Sequence, residues 1–263
     1  MVVRKPLLGI VFASHKRKGV LLLLKDGPRK IDSIMEQLST SRQALLPQIR
    51  ILEDHYLVTH NKDTYELTGI GKLIVDEMNP LLDTLEVFNI DPDYWGSHNI
   101  EFIPPHLLER ISELGKCDLI KPAITDMYEF NPQFYEHSKL SRSVSRVSTF
   151  FHPMYSKLYP ELMKLGVAIY LVLSQEVLDR LKDKPEPDFA KLLENEQFNL
   201  YLYPKKIDVL TFAYNDHYLL INLLRSNGDT DNKHILCSNL SALEWGKELF
   251  QYYLKDSTPI TKI

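Results

Sequence analysis

Apolar side chains in the first quarter of the chain recur at helical spacing. Ile31, Ile34, Met35 and Leu38 follow i, i+3, i+4, i+7, which predicts a short amphipathic helix. Leu45, Ile49, Leu52 and Tyr56 follow i, i+4, i+7, i+11 and predict a second one. A preceding helix over 14–25 supplies Val20, Leu21, Leu23 and Leu24 to the same core, with Ser14 as its N-cap. Asp26-Gly27-Pro28 ends it. Thr40 and Gln43 stand at capping-box spacing and place the start of the second helix near Ser41. Pro47 lacks a backbone donor, so a kink is expected there, or a helix whose regular part begins near Leu46. Residues 56–59 and 64–68, separated by His60-Asn61-Lys62-Asp63, read as a β-hairpin. Two short helices joined by a three- or four-residue turn and followed by a hairpin make a winged helix-turn-helix.

Gly69-Ile70-Gly71 then breaks the pattern, and residues 71–88 read as one helix. Ile74, Met78, Leu81, Leu82, Leu85 and Phe88 lie near one face of it, and Pro80 is a candidate kink. That face packs either on its own chain or on a second copy. Residues 92–105 read as a loop anchored by Tyr94-Trp95, and Pro104-Pro105 opens a short helix ended by Gly115. After Asn131-Pro132 the pattern alternates between strand and helix. Strands are expected over 144–151, 167–173, 198–203, 209–214, 218–224 and 234–237, with a hairpin turning at Asn215-Asp216. Helices are expected over 155–165, closed by Gly166, and over 175–181. Ser241 and Glu244 predict a second capping box, opening a helix over 242–254 that carries Trp245, Leu249 and Tyr253. The expected fold is a two-domain α+β or α/β chain. Residues 1–69 form a winged helix-turn-helix DNA-binding domain, 70–90 a connector and dimerisation helix, and 91–263 a larger mixed α/β sheet domain that senses an effector.

Composition adds three points. With 44% hydrophobic and 25% charged residues among 263, the chain has the profile of a water-soluble globular protein. No apolar run of about 18 residues predicts a membrane span, and no apolar stretch of signal-peptide type follows the charged first residues. Cys117 and Cys237 are the only cysteines, and neither stands in a C-x-x-C pair. Neither a disulfide framework nor a zinc site is expected from them, and a reducing cytoplasm fits best. The net charge of −4 is unevenly divided: residues 1–68 hold 11 Lys/Arg against 7 Asp/Glu, and residues 69–263 hold 20 against 28. Such a division directs the first segment toward a polyanion.

Candidate chemistry follows from this arrangement. Ser41, Arg42, Gln43 and Gln48, on the recognition helix, are of types that read base edges in the major groove. His60 and Lys62 at the wing tip, and Lys16 and Arg17 in the cluster His15-Lys16-Arg17-Lys18, suit phosphate contacts. Capping is the competing role for Gln43, and plain solvation the competing role for Arg42 and Gln48. No glycine-rich phosphate loop, G-x-S-x-G elbow or H-E-x-x-H pattern occurs. His137-Ser138-Lys139 has the H-x-K spacing of phospholipase D-like phosphodiesterases. The aspartate expected five residues after the lysine is replaced by Val144, so the tripeptide reads as chance. His152 and His217 read as structural histidines. No catalytic residue, metal ligand or cofactor is expected. Ser174, Tyr203 and Ser238 stand near the carboxyl ends of strands, where open α/β sheets bind ligands, with strand exit and capping as their alternative role.

Four stretches carry a resemblance: 42–49 (RQALLPQI), 65–71 (YELTGIG), 103–108 (IPPHLL) and 243–253 (LEWGKELFQYY). By these the chain resembles archaeal winged-helix transcriptional regulators of the methanogenesis-regulator type, over nearly its whole length. That family joins an ArsR-like DNA-binding head to a C-terminal domain. The C-terminal part also looks like the phospholipase D-like sensor domains of archaeal sugar-responsive regulators, without their catalytic signature. The resemblance implies effector-controlled transcription, and the connector helix, if paired with a second copy, gives a homodimer on a double-stranded promoter operator. It names neither the effector, a small molecule or a partner, nor any ligand-binding residue.

Overall fold

The computed structural model describes residues 6–123 and 130–263. Its contacts divide into two units, Met1–Leu82 and Asp83–Ile263. In the first, helices α1 (Leu7–Phe12), α2 (His15–Leu24), α3 (Ile31–Gln37) and α4 (Arg42–Asp54) surround one apolar core. Ser14 caps α2 as expected, accepting from the Arg17 N–H. Strands β2 (Val58–Asn61) and β3 (Thr64–Leu67) form the wing, turning at Lys62-Asp63, where Lys62 takes a positive φ of 54°. The short strand β1 (Arg29–Lys30), which the sequence pattern did not mark, adds to the other side of β3.

Two local expectations about α4 are corrected. The Thr40–Gln43 capping box does not form: Ser41 is the N-cap and its side chain makes no capping bond. Its carbonyl accepts from the Ala44 and Leu45 N–H groups instead. Nor does Pro47 delay the helix, which runs unbroken from Arg42. Leu45, Ile49 and Leu52 are all fully buried, and Pro47 lies on the exposed side. Burying three large side chains outweighs the single ladder bond that proline removes.

Helix α5 (Gly69–Phe88) follows directly from the wing, with Pro80 inside it. Its start is fixed by Thr68, whose hydroxyl donates to the Tyr56 carbonyl and accepts from the Gly71 N–H. Gly71 is required here, because a Cβ would lie 2.0 Å from the Leu57 carbonyl oxygen. The division between the units falls inside this helix. Val75 and Met78 pack into the first core, and Val87 into the second. Ile70, Leu73, Leu81 and Leu85 remain exposed along it.

The second unit is an eight-stranded sheet covered on both faces. In chain order its elements are α6 (Pro92–Ser97), α7 (Pro105–Leu108), a 3-10 turn (Ile111–Leu114), β4 (Cys117–Ile120), α8 (Pro132–Ser138), β5 (Ser143–Ser148) and α9 (Tyr155–Lys164). Then come β6 (Ala168–Ser174), α10 (Gln175–Asp183), α11 (Pro187–Ala190), a 3-10 turn (Lys191–Glu194), β7 (Phe198–Tyr203) and β8 (Thr211–Tyr214). The chain closes with β9 (Leu219–Asn222), β10 (His234–Cys237), α12 (Leu240–Lys255) and β11 (Thr258–Pro259). Strand order is β11-β7-β6-β5-β8-β9-β10-β4, with β5, β6 and β7 parallel and the other pairings antiparallel. On one face Val147, Phe212, Ile221 and Ile235 pack with Trp245, Leu249 and Tyr253 of α12. On the other, Leu171, Ala213, Leu220 and Leu236 pack with α9 and α10. The fold is therefore a winged helix-turn-helix head followed by a mixed α/β sheet unit.

Three further expectations are corrected. The stretch 92–105 is not all loop: Asp91 caps α6, accepting from the Tyr94 N–H at 3.0 Å. Helix α12 starts at Leu240, capped by Asn239 rather than by a Ser241–Glu244 box, and the Ser241 hydroxyl donates to the Glu113 carbonyl. Most importantly, Cys117 and Cys237 are joined in a disulfide. Strands β4 and β10 are antiparallel neighbours, and their register sets the two cysteines directly opposite, with Cα atoms 4.4 Å apart. That spacing belongs to a non-hydrogen-bonded cross-strand pair, where side chains come closest. The residues are 120 positions apart in sequence, so only the strand pairing reveals them as neighbours.

Candidate functional site

The head presents the start of α4 to solvent: Ser41, Arg42 and Gln43 are all exposed. Arg42 reaches the wing turn, with its guanidinium 3.6 Å from the Asp63 carboxylate. Lys62 and His60 are exposed on the same hairpin, and His60 hydrogen-bonds Glu53 of α4. Helix start and wing turn thus form one polar surface. Arg50, which the sequence reading did not single out, is exposed on the same helix. It lies close enough to the Tyr65 phenol to oppose the upward pKa shift that burial imposes there.

Two other candidates serve inside the head. The Gln48 side-chain oxygen accepts from an Arg17 guanidinium nitrogen at 2.7 Å and from the Ser14 hydroxyl at 3.2 Å. Arg17 also donates to the carbonyls of Ile10 and Gly9, at 2.6 and 3.3 Å. These bonds tie α1, α2 and α4 together. Lys16 is half-buried one position before Arg17 on α2.

In the second unit, strand alternation sorts polar from apolar positions. Along β5, β8, β9 and β10, the face toward α9 and α10 carries Val144, Ala213, Leu220 and Leu236. The same face carries Arg146, Thr211, Asn222 and His234 toward one end of the sheet. At that end lies a cavity of about 430 Å³, lined by these four residues and by Asn131, His152 and the rings of Phe130, Phe134, Phe150 and Phe151. That volume suits a small organic ligand.

Arg146 dominates the cavity. It is 5% exposed and donates to the Thr211 hydroxyl at 3.2 Å, while its Nε has no hydrogen-bond partner among the described residues. The rings of Phe130, Tyr155 and Phe134 surround the guanidinium, with centroids 5.6 to 5.9 Å from Cζ. Burial works against its charge, but the neighbouring phenols of Tyr155 and Tyr159 more than offset that, and its pKa is raised. Arg146 is therefore charged at any working pH. Burial holds Tyr159 well above its ordinary value, so that phenol is neutral and supports Arg146 as a hydrogen-bonding dipole rather than as a counter-charge. His234 is also neutral, because burial lowers its pKa. Its Nε2 accepts from the Asn131 amide at 3.0 Å, while the Asn131 oxygen caps α8. The Asn222 side-chain oxygen is buried without a hydrogen-bond partner among the described residues.

The three residues predicted to line a ligand site do not converge on this cavity. Ser174 is buried at the end of β6, opposite Tyr203 of β7. Tyr203 packs 5.0 Å from the Tyr253 ring in the core. Ser238 is exposed beyond β10, at the far end of the sheet from the other two. Alternation along a strand was a usable signal for the true lining residues, but the face could be assigned only once the strand order was known. His137 and Lys139 lie on and just after α8, with Lys139 paired to Glu136 at 2.7 Å. Val144 is buried on β5. Among the described residues, no group of three or more His, Cys, Asp or Glu side chains is placed to hold a metal ion.

Residues 7–86 match the family model described as the N-terminal domain of the methanogenesis regulatory protein FilR1, and residues 127–256 match its middle domain. The methanogenesis regulatory protein FilR1 of Methanothrix harundinacea (strain 6Ac) is 27% identical over 253 residues, covering 94% of this chain and 56% of that protein. The chain thus spans about half the length of that curated relative. Two solved structures are more distant. The archaeal chromatin protein TrmBL2 has a TM-score of 0.43 at 13% identity, covering 98% of this chain and 100% of that one. Nuc from Salmonella typhimurium, a phospholipase D family member, has a TM-score of 0.37 at 14% identity, covering 49% of this chain and 88% of that one.

Proposed function

We propose that this chain, which matches the N-terminal and middle domains of the FilR1 regulator family in that order, is a DNA-binding transcriptional regulator. In this reading the head is an ArsR-like reader of a promoter operator, and the sheet unit is a non-catalytic, phospholipase D-like sensor. The observation that carries the proposal is the exposed start of α4 beside the wing turn, in a segment with a surplus of basic residues. Ser41, Arg42 and Gln43 face the major groove, where Arg pairs bidentately with guanine and Gln with adenine. His60, Lys62 and Lys16 contact phosphates. Arg17 and Gln48 buttress the helix from inside, so their effect on DNA is indirect.

The proposal extends to a homodimer. Ile70, Leu73, Leu81 and Leu85 are too exposed and too apolar for a solvated helix, and a second copy of α5 would cover them. Two heads related by a two-fold axis would meet half-sites about one DNA turn apart. No helix among the described residues is long and apolar enough to cross a membrane. A cytoplasmic place belongs to the proposal on the regulator reading alone, because the Cys117–Cys237 disulfide removes the argument from unpaired cysteines.

The test is binding of the full chain to duplex promoter DNA, with Arg42→Ala and Arg17→Ala compared. Arg42→Ala is expected to relax sequence preference while leaving the fold intact. Arg17→Ala is expected to weaken every sequence alike and to lower the melting temperature of the head. Equal binding by wild type and Arg42→Ala at every sequence would remove the recognition-helix assignment.

A further inference from the structure

The second unit holds a charge that the described residues do not neutralise. Arg146 is almost fully buried and forms no ion pair with any described carboxylate. The guanidinium donates to the Thr211 hydroxyl, which is itself committed to the Val147 carbonyl at 2.8 Å, and it lies beside the phenols of Tyr155 and Tyr159, none of them a carboxylate. Burying an ion without a counter-ion is among the most costly arrangements in a protein. Such a group persists where something from outside completes it. It also stands in the wall of a cavity, between aromatic rings and beside an unpartnered Asn222 amide oxygen.

We propose that this cavity is the receptor site for a small organic oxyanion carrying one negative charge, with Arg146 as its anchor and an apolar portion against Phe130, Phe134, Phe150 and Phe151. The inference rests on the sensor reading of the second unit and names the class of effector. Among the described lining residues Arg146 is the one Lys or Arg, and it sets the charge of the ligand. A dianion would leave a buried negative charge unmatched, because the neighbouring His234 is neutral and held by Asn131. A guanidinium presents a planar fork of N–H donors, which matches two oxygens of a carboxylate or of a phosphate diester. The aromatic walls give the cavity a largely apolar lining, which strengthens that pairing and selects ligands with an apolar body.

The experiment is calorimetric titration of the full chain with four probes: hexanoate, dibutyl phosphate, hexanol and hexylamine. Saturable one-to-one binding of hexanoate or dibutyl phosphate is expected, with neither hexanol nor hexylamine binding at the same concentrations. The preferred anion then distinguishes a carboxylate from a phosphate diester. Arg146→Met is expected to weaken that binding by about 30-fold or more. Arg146→Lys keeps the charge but loses the fork, and is expected to fall between the two. Thr211→Val tests the site without altering its charge, and a several-fold loss is expected. Hexanol binding as tightly as hexanoate, no binding of either anion at millimolar concentration, or unaltered anion binding by Arg146→Met would each overturn the proposal. A gel shift with and without the preferred anion separates the two readings. Anion binding that leaves DNA affinity unchanged upholds the cavity and removes its role as the regulator's sensor.

Discussion

From Ile10 to Met78, the buried side chains of the winged-helix unit are all apolar, apart from the phenol of Tyr65. In the sheet unit, His98, Ser145, Arg146, His152, Thr211, Asn215 and His234 are all buried among the apolar ones. The head keeps its polar chemistry on the outside, on the start of α4 and the wing, where the proposed duplex would meet it. The sheet unit keeps polar chemistry inside, where each group costs stability unless something pairs with it. A dry core with a polar surface suits the reading of a duplex. A polar, partly unsatisfied interior suits the enclosure of a small molecule.

Breaking the dry core has the largest expected effect. Leu52→Ala removes a fully buried side chain from the head and should cost about 3 kcal/mol. Gly71→Ala drives a methyl into the Leu57 carbonyl and should cost about as much. Both tryptophans, Trp95 and Trp245, belong to the sheet unit, so their fluorescence reports that unit alone. Far-UV circular dichroism should show early loss of helix in either variant, while the tryptophan transition stays in place. A tryptophan transition that moves with the head would show that the two units unfold as one.

The opposite sign is expected in the sheet unit. Arg146→Met replaces an unpaired buried charge with an apolar chain of similar length. It should stabilise the ligand-free unit by about 2 kcal/mol, read as a rise in the tryptophan-detected melting temperature. A fall of similar size would mean that Arg146 is a structural group rather than a waiting one. On the surface of the head, Arg42→Ala should leave the melting temperature nearly unchanged. It should cost about 1–3 kcal/mol of DNA discrimination at one base position.

The smallest effect concerns pH. Burial lowers the pKa of His234, with the Asn232 carbonyl opposing it only in part. A folded-state value below the unfolded one contributes stability that is fully present above the unfolded pKa of about 6.5 and is lost as pH falls below it. The tryptophan-detected stability should therefore decline as pH falls below about 6.5, by at most about 1.4 kcal/mol per pH unit. His234→Gln should flatten that slope. Asp231 and Asp216 have lowered values because Lys233 and Arg142 outweigh the effect of burial. They lose their contribution only below about pH 4, so the two windows separate.

Much of this architecture was legible in the chain because it is local. Helical spacing marked α3 and α4, an N-cap and apolar residues marked α2, turn residues marked the wing, and an apolar run marked β6. The exposed start of α4 was legible for the same reason. Pairings across long sequence separations were not. The Arg17–Gln48 bond joins residues 31 apart and turns two apparent surface groups into an internal brace. Cys117 and Cys237 meet only because β4 is laid beside β10. Arg146, Thr211, Asn222 and His234 come from four adjacent strands, β5, β8, β9 and β10, and Arg146 and Thr211 alone are 65 positions apart, so no local pattern gathers them. Ser174, Tyr203 and Ser238 were chosen by strand ends alone, without knowing which strands run antiparallel.

The central claim is that the head reads duplex DNA through the start of α4. It is tested most directly by gel shift with the chain's own promoter region, from about 50 to about 200 mM salt, against competitor duplex. The account predicts a complex that weakens steeply with salt, survives competitor, and loses its selectivity in Arg42→Ala. A wild-type chain that shows no sequence preference at any salt concentration, with or without cell extract, would contradict it.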